Sequence, residues 1–136
     1  ADQLVAIAAG ADLVHTNSFG ASPMKLAAHG LTDRCEEINR AAAEAAVAGV
    51  AKRVLVSGSV GPSGKLLAPY GEADPDEVLE GFRLQARALV AGGVDLLTVE
   101  TMIDLSEAVL AVRAAREALG DRCVALTAVS PSLPAR

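Results

Sequence analysis

Three polar residues stand where an apolar strand would stop, and they are the first candidates for chemistry. Glu100 closes the run Val94, Leu96, Leu97, Val99 and is followed by Thr101 and Met102. Asn17 closes a similar run after Asp12 and Leu13-Val14. Ser59 lies in a glycine-dense stretch just after Val54-Leu55-Val56-Ser57. A carboxylate at a buried strand tip can hold a substrate ammonium, because an opposite charge nearby favours the ionised form of both groups. The alternative for Glu100 is a solvated carboxylate that caps the next helix. For Asn17 and Ser59 the alternative is turn stabilisation, which their side chains perform by bonding nearby backbone.

Other clusters are weaker. Gly58-Ser59-Val60-Gly61-Pro62-Ser63-Gly64-Lys65 is rich in glycine, but five residues rather than four separate Gly58 from Gly64, and Leu66 follows Lys65. A phosphate loop needs GxxxxGK[ST] opening directly into a helix, and neither condition is met. The two cysteines, Cys35 and Cys123, fall near a helix start and at the amino end of a strand. His15 lies inside a strand and His29 ends a short helix. A catalytic zinc wants three ligands converging on one point, so these four residues read as structural thiols and ordinary histidines. No metal site and no catalytic residue is assigned within the chain.

The elements that position the candidates follow from a near-repeat. Leu4 to Asn17 reads LVAIAAGADLVHTN and Leu89 to Glu100 reads LVAGGVDLLTVE. Each is a helix tail, a small-residue turn, an Asp and a short apolar run ending on a polar residue. Continuous apolar runs of this length fit strands buried on both faces of a parallel sheet. The pattern predicts a helix over 2–9, a strand over 12–16 and a short helix from Met24 to His29 ending at Gly30. A long helix follows over 33–50, with Ile38, Ala42, Ala45 and Ala46 as its apolar stripe and Glu36, Glu37, Arg40 and Glu44 facing water.

A strand over 54–57 comes next. Asp74-Pro75-Asp76-Glu77 has the N-cap, first-turn proline and N3 carboxylate of a helix start, and Val78, Phe82, Ala86 and Leu89 give that helix a stripe. A strand over 94–99 precedes a helix capped by Asp104 and Glu107 that ends at Gly120. A strand over 123–129 is last, before Pro131 to Pro134, which cannot continue a central strand. Alternating helices and strands without hairpin signals call for a parallel α/β sheet with right-handed crossovers. It could lie open as a doubly wound sheet or form part of a barrel. Ligands gather at the carboxyl ends of the strands in both forms.

The 136 residues suit one domain. They are 51% hydrophobic with one Tyr, two Phe and no Trp, so the core must be built from Ala, Val and Leu. A net charge of -5 argues against a general nucleic-acid or anionic-membrane surface. No apolar stretch approaches the ~20 residues that span a bilayer, and the N-terminus shows no signal-peptide pattern. The chain opens inside a helix rather than on a Met, so a targeting segment before it is not read. Two cysteines make no disulfide framework, and a reducing cytoplasm is the default expectation.

Four ordered motifs carry a resemblance: Thr16-Asn17-Ser18-Phe19-Gly20-Ala21, Glu37-Ile38-Asn39-Arg40-Ala41-Ala42, Gly58 to Gly64, and Val99-Glu100-Thr101-Met102-Ile103-Asp104-Leu105 with Glu107-Ala108. The series resembles the homocysteine S-methyltransferase family over the chain from its first residues to about Thr127. It looks most like the homocysteine-binding domain of the cobalamin-dependent methionine synthases, with the betaine-dependent enzymes as relatives. The resemblance implies a (β/α)8 TIM barrel, of which residues 1–136 would be one partial homocysteine-binding domain with four βα units, family strands two to five. A full barrel takes roughly 250 residues.

The resemblance also implies methyl transfer to the homocysteine sulfur in methionine biosynthesis. Glu100 would bind the substrate amino group, with Asn17 and Ser59 lining the same mouth. In the family, a zinc ion held by three cysteines binds the sulfur as thiolate, which coordination favours. Those cysteines belong to an Asn-Cys and a Gly-Gly-Cys-Cys that do not occur here, and Cys35 and Cys123 match neither. The first strand with its acidic loop is also missing. The chain is therefore expected to be a central fragment, inactive alone and binding homocysteine weakly or not at all. Cobalamin or another methyl donor would be bound elsewhere, and its identity is not legible.

The expected partners are homocysteine and either the missing barrel half or a second copy, since unpaired strand edges are templates for association. The alternatives are a non-catalytic half-barrel that self-associates as a binding module and, more remotely, an unrelated α/β enzyme using the glycine loop and Glu100.

Overall fold

A computed structural model describes residues 7–50 and 54–128. Strands β1 (Leu13–His15), β2 (Leu55–Val60), β3 (Leu96–Met102) and β4 (Val124–Ala128) form one sheet in the order β1-β2-β3-β4. Every neighbouring pair is parallel, with Val14 opposite Val56, Ser59 opposite Thr98, and Thr98 opposite Ala125. The helices are α1 (Pro23–Ala27), α2 (Cys35–Ala48), α3 (Pro75–Ala91) and α4 (Leu105–Leu119), with a 3-10 turn at Thr32–Arg34 before α2.

This strand order fits one arc of a barrel. Each strand lies beside its predecessor, and right-handed crossovers taken always in one direction put every helix on the same face. A doubly wound sheet reverses that direction at its switch point, and no reversal occurs among the described residues. The arrangement is a segment of a (β/α)8 barrel, with a helix-covered outer face and an inner face that turns toward the barrel axis. Val56, Val60, Leu97 and Val99 point outward into the core with Phe82, Leu89, Ala111 and Ala115. By alternation along the strands, Leu13, His15, Leu55, Ser57, Ser59, Leu96, Thr98 and Glu100 share the inner face. Leu55 is 49% exposed there.

Gly58 shows how close the outer layer lies, because an added Cβ would overlap Leu97 and Leu89. Strand β2 runs on through Gly58, Ser59 and Val60, past the predicted end at Ser57. The strand residues of the predicted 94–99 segment likewise extend to Met102.

Helix α2 turns differently from the expected stripe. Its buried residues are Cys35, Asn39, Ala43 and Ala46, whereas Ile38 and Ala42 are half-buried and Ala45 is exposed. Close approach explains this: a Cβ on Gly92 would overlap Ala43, so the smallest side chains must face α3. Asn39 tolerates burial because its amide donates to the carbonyls of Ala21 at 2.7 Å and Cys35 at 2.8 Å. Glu36, Glu37, Arg40 and Glu44 do face solvent, and Val78, Phe82, Ala86 and Leu89 are buried as the spacing predicts.

The caps are only partly as read. Asp74 accepts from the Asp76 amide at 2.9 Å and Asp104 from the Ser106 amide at 2.8 Å. Neither Glu77 nor Glu107 closes a capping box. Gly30 ends α1 with φ +67. The helix predicted over 2–9 is helical at Ile7 and Ala8, and its earlier part, like Pro131 to Pro134, lies outside the described residues. Among the described residues no helix is long and apolar enough to cross a membrane.

Candidate functional site

The carboxyl ends of β1, β2 and β3 bring Glu100, Ser59 and His15 together. Ser59 donates its hydroxyl to Oε1 of Glu100 in a short hydrogen bond. Nδ1 of His15 lies 3.5 Å from the same oxygen, an ion pair when the imidazole is protonated. Glu100 is 26% exposed at its side chain, and its Oε2 makes no hydrogen bond among the described residues. The carboxylate is thus half-withdrawn from water, steered through one oxygen and open through the other. A buried or half-buried charge needs compensation, and the open oxygen is where a cationic ligand would supply it.

The floor beneath is polar and internally satisfied. Ser57 and Thr98, side by side on β2 and β3, share a hydrogen bond of 2.7 Å. Thr16 accepts from the Ser59 amide at 3.0 Å, and Ser18 donates to the Ser59 carbonyl at 2.7 Å. The loop after β1 therefore clasps Ser59 from both sides and fixes the hydroxyl that steers Glu100. Phe19 in that loop leans on Gly61, where an added Cβ would overlap the ring.

The glycine-dense segment is held from the other side. Glu107 is 3% exposed and accepts from the Ser63 amide at 2.7 Å and from the Ser63 hydroxyl. This is why Glu107 does not cap its own helix: it reaches across to the loop after β2. No helix follows Lys65 until Pro75, so the segment aims no helix N-terminus at an anion.

The sequence-derived candidates therefore separate. Glu100 and Ser59 form one unit, with Ser59 acting on the carboxylate rather than standing as a separate ligand. Asn17 is exposed at the end of β1 and bonds to neither of them. His15, by sequence an ordinary strand histidine, faces Glu100. The alternation that puts His15, Ser59 and Glu100 on one face is present in the sequence, but it needs the register between strands to be seen.

The thiols do not converge here. Cys35 is fully buried and donates to the Ala21 carbonyl at 3.3 Å, and burial pushes its thiol up to about 11. Cys123 is exposed just before β4, at the opposite edge of the sheet. Among the described residues no three His, Cys, Asp or Glu side chains are placed to hold a metal ion. A protonated buried thiol and a distant exposed one do not fit a metal centre, and no step through a metal is derived from these residues.

A singly wound parallel sheet with a steered carboxylate at its strand ends defines the class: a segment of an α/β barrel. The chain belongs to the homocysteine S-methyltransferase family, whose model matches residues 5–133. It is similar in structure to the homocysteine methyltransferase MmuM from Escherichia coli, solved in a metallated form, with a TM-score of 0.71 and 28% sequence identity. That likeness covers 87% of this chain and 46% of MmuM, so the chain spans about half the length of that protein.

Proposed function

We propose that residues 1–136 form a partial homocysteine-binding domain of a methionine-synthase-type methyltransferase, and that they supply the side of the site that holds the amino acid. Glu100 takes the substrate ammonium on Oε2, while Ser59 and His15 hold Oε1. Asn17 lines the mouth without touching the carboxylate. The single observation that carries this reading is the asymmetric environment of Glu100, with one oxygen engaged and one open at a half-buried position. An ammonium there gains more than it would from an exposed carboxylate, because charge attraction strengthens as solvent is withdrawn.

Methyl transfer also needs the homocysteine thiol as thiolate, and the zinc that supplies it in the family would be held by cysteines these residues do not include. Residues 1–136 alone therefore bind homocysteine weakly or not at all and transfer no methyl group, and methylcobalamin or another donor is bound by parts outside them. Two unpaired thiols fit a cytoplasmic setting.

The test is an NMR titration of the chain with millimolar homocysteine. The expected result is a saturable shift of the Ser59 amide, the His15 ring and the Glu100 carboxyl, weakened about tenfold or more in Glu100→Gln. An equal response in Glu100→Gln would remove Glu100 from the site. Micromolar binding by the monomer in calorimetry would overturn the weak-binding part of the proposal.

A further inference from the structure

Strand β3 does not end as a regular strand. Val99 faces Leu126 and Met102 faces Ala128, so Glu100 and Thr101 together oppose the single residue Thr127. Thr101 has φ +62 and is, among the described residues, the one non-glycine with positive φ. A β-branched side chain enters that left-handed region only under constraint. In an unbroken pleat Leu96, Thr98, Glu100 and Met102 would all share a face. Met102 is instead 1% exposed in the apolar core on the helix side, while Glu100 meets Ser59 and His15 on the inner face. The extra residue lets the strand turn a carboxylate one way and a core methionine the other.

We propose that Thr101 is a positioning residue, whose left-handed bulge aims Glu100 into the mouth at a cost in stability. Bulges re-aim side chains in this way, and strained backbone persists where the surroundings over-determine it. Glycine at 101 would relieve the strain but also loosen the backbone that carries Glu100. Asparagine tolerates the left-handed region and leaves less freedom than glycine. The purpose of the device rests on Glu100 being the ligand carboxylate, whereas its geometry does not, so the two can fail separately.

The test compares Thr101→Gly and Thr101→Asn with the wild-type chain by melting temperature, by the 13C signal of the Glu100 carboxyl, and by homocysteine titration. Both variants are expected to melt roughly 2–6 °C higher than wild type. Thr101→Asn keeps the Glu100 carboxyl shift and the apparent Kd within about twofold. Thr101→Gly moves that signal toward the value of a free glutamate and weakens homocysteine about three- to tenfold. Melting temperatures no higher than wild type, or a Glu100 signal unchanged in Thr101→Gly, would overturn the proposal. If Glu100→Gln responds to homocysteine as the wild-type chain does, the ligand role of Glu100 falls, and the melting temperatures and carboxyl signal still decide the positioning role.

Discussion

Two glutamates on opposite sides of the sheet show how differently the strand-end mouth and the outer helix layer are built. In the helix layer, Glu117 on α4 receives Arg83 of α3 on both oxygens, at 2.6 and 2.9 Å, and Arg113 at 3.1 Å. Arg83 also bonds Glu80. Beneath these charges the helices meet through Ala86, Ala111, Ala114 and Ala115, all buried. At the mouth, Glu100 has one oxygen held and one open, and the next residue is in a strained conformation. On the outer surface of the helix layer the Arg83, Glu80, Glu117 and Arg113 charges pair with one another. The mouth leaves one carboxylate oxygen open, and in the proposed function that oxygen takes the substrate ammonium.

The strongest way to break the comparison is to remove the mass of the helix layer. Phe82 is 1% exposed at the centre of the core, and Phe82→Ala is expected to cost about 3–5 kcal/mol in urea denaturation. That is a large share of a typical domain's stability, and the mouth should melt with the layer. A Glu100 carboxyl signal that stayed native while helical signal was lost would show that the two regions fold independently.

A smaller effect is expected where the regions are tied together. Glu107 leaves the helix layer to hold Ser63 beside the mouth, and Ser63 is itself buried. Glu107→Ala strands the Ser63 amide without an acceptor, at about 1–3 kcal/mol. Glu107→Gln restores an acceptor and should recover part of the loss. The companion readout is hydrogen exchange at Ser63, which should speed in the alanine variant. Unchanged exchange would mean that the loop does not depend on this bond.

The outer architecture was legible because it rests on local rules. Asp74-Pro75, Asp104 and Gly30 mark helix ends wherever they occur, and continuous Val/Leu runs mark buried parallel strands. The inner face was legible only in part. Glu100 and Ser59 could be placed at strand ends from the apolar runs before them, but their bond, and His15 beside it, depend on strand register. The α2 stripe was misjudged because its packing partner is Gly92, a residue with no side chain to signal a close approach. The sequence makes Glu107 a cap because N3 carboxylates usually are, and only the loop after β2 explains why it reaches elsewhere. Thr101 could not have been foreseen, since a β-branched residue is among the last to suggest a left-handed bulge.

The smallest effect sharpens the contrast from the helix side, through pH. The bonds from Arg83 hold the Glu117 carboxyl down to about 2, against an ordinary value of 4.5. A carboxylate depressed in the folded state stabilises the fold above its unfolded value, and that contribution is lost as pH falls through the folded value. The advantage of wild type over Glu117→Gln should therefore be constant above about pH 4.5 and fade as pH drops toward 2. Its size is small because Glu117 is 42% exposed at its side chain, where solvent and salt weaken ion pairs. A difference of roughly a degree or two in Tm at neutral pH is expected, and it should shrink in high salt. A difference that grew as the pH fell would mean that the Arg83 pairing is not what holds this carboxylate. The outer Arg83–Glu117 cluster would then no longer contrast with the half-open carboxylate at the mouth.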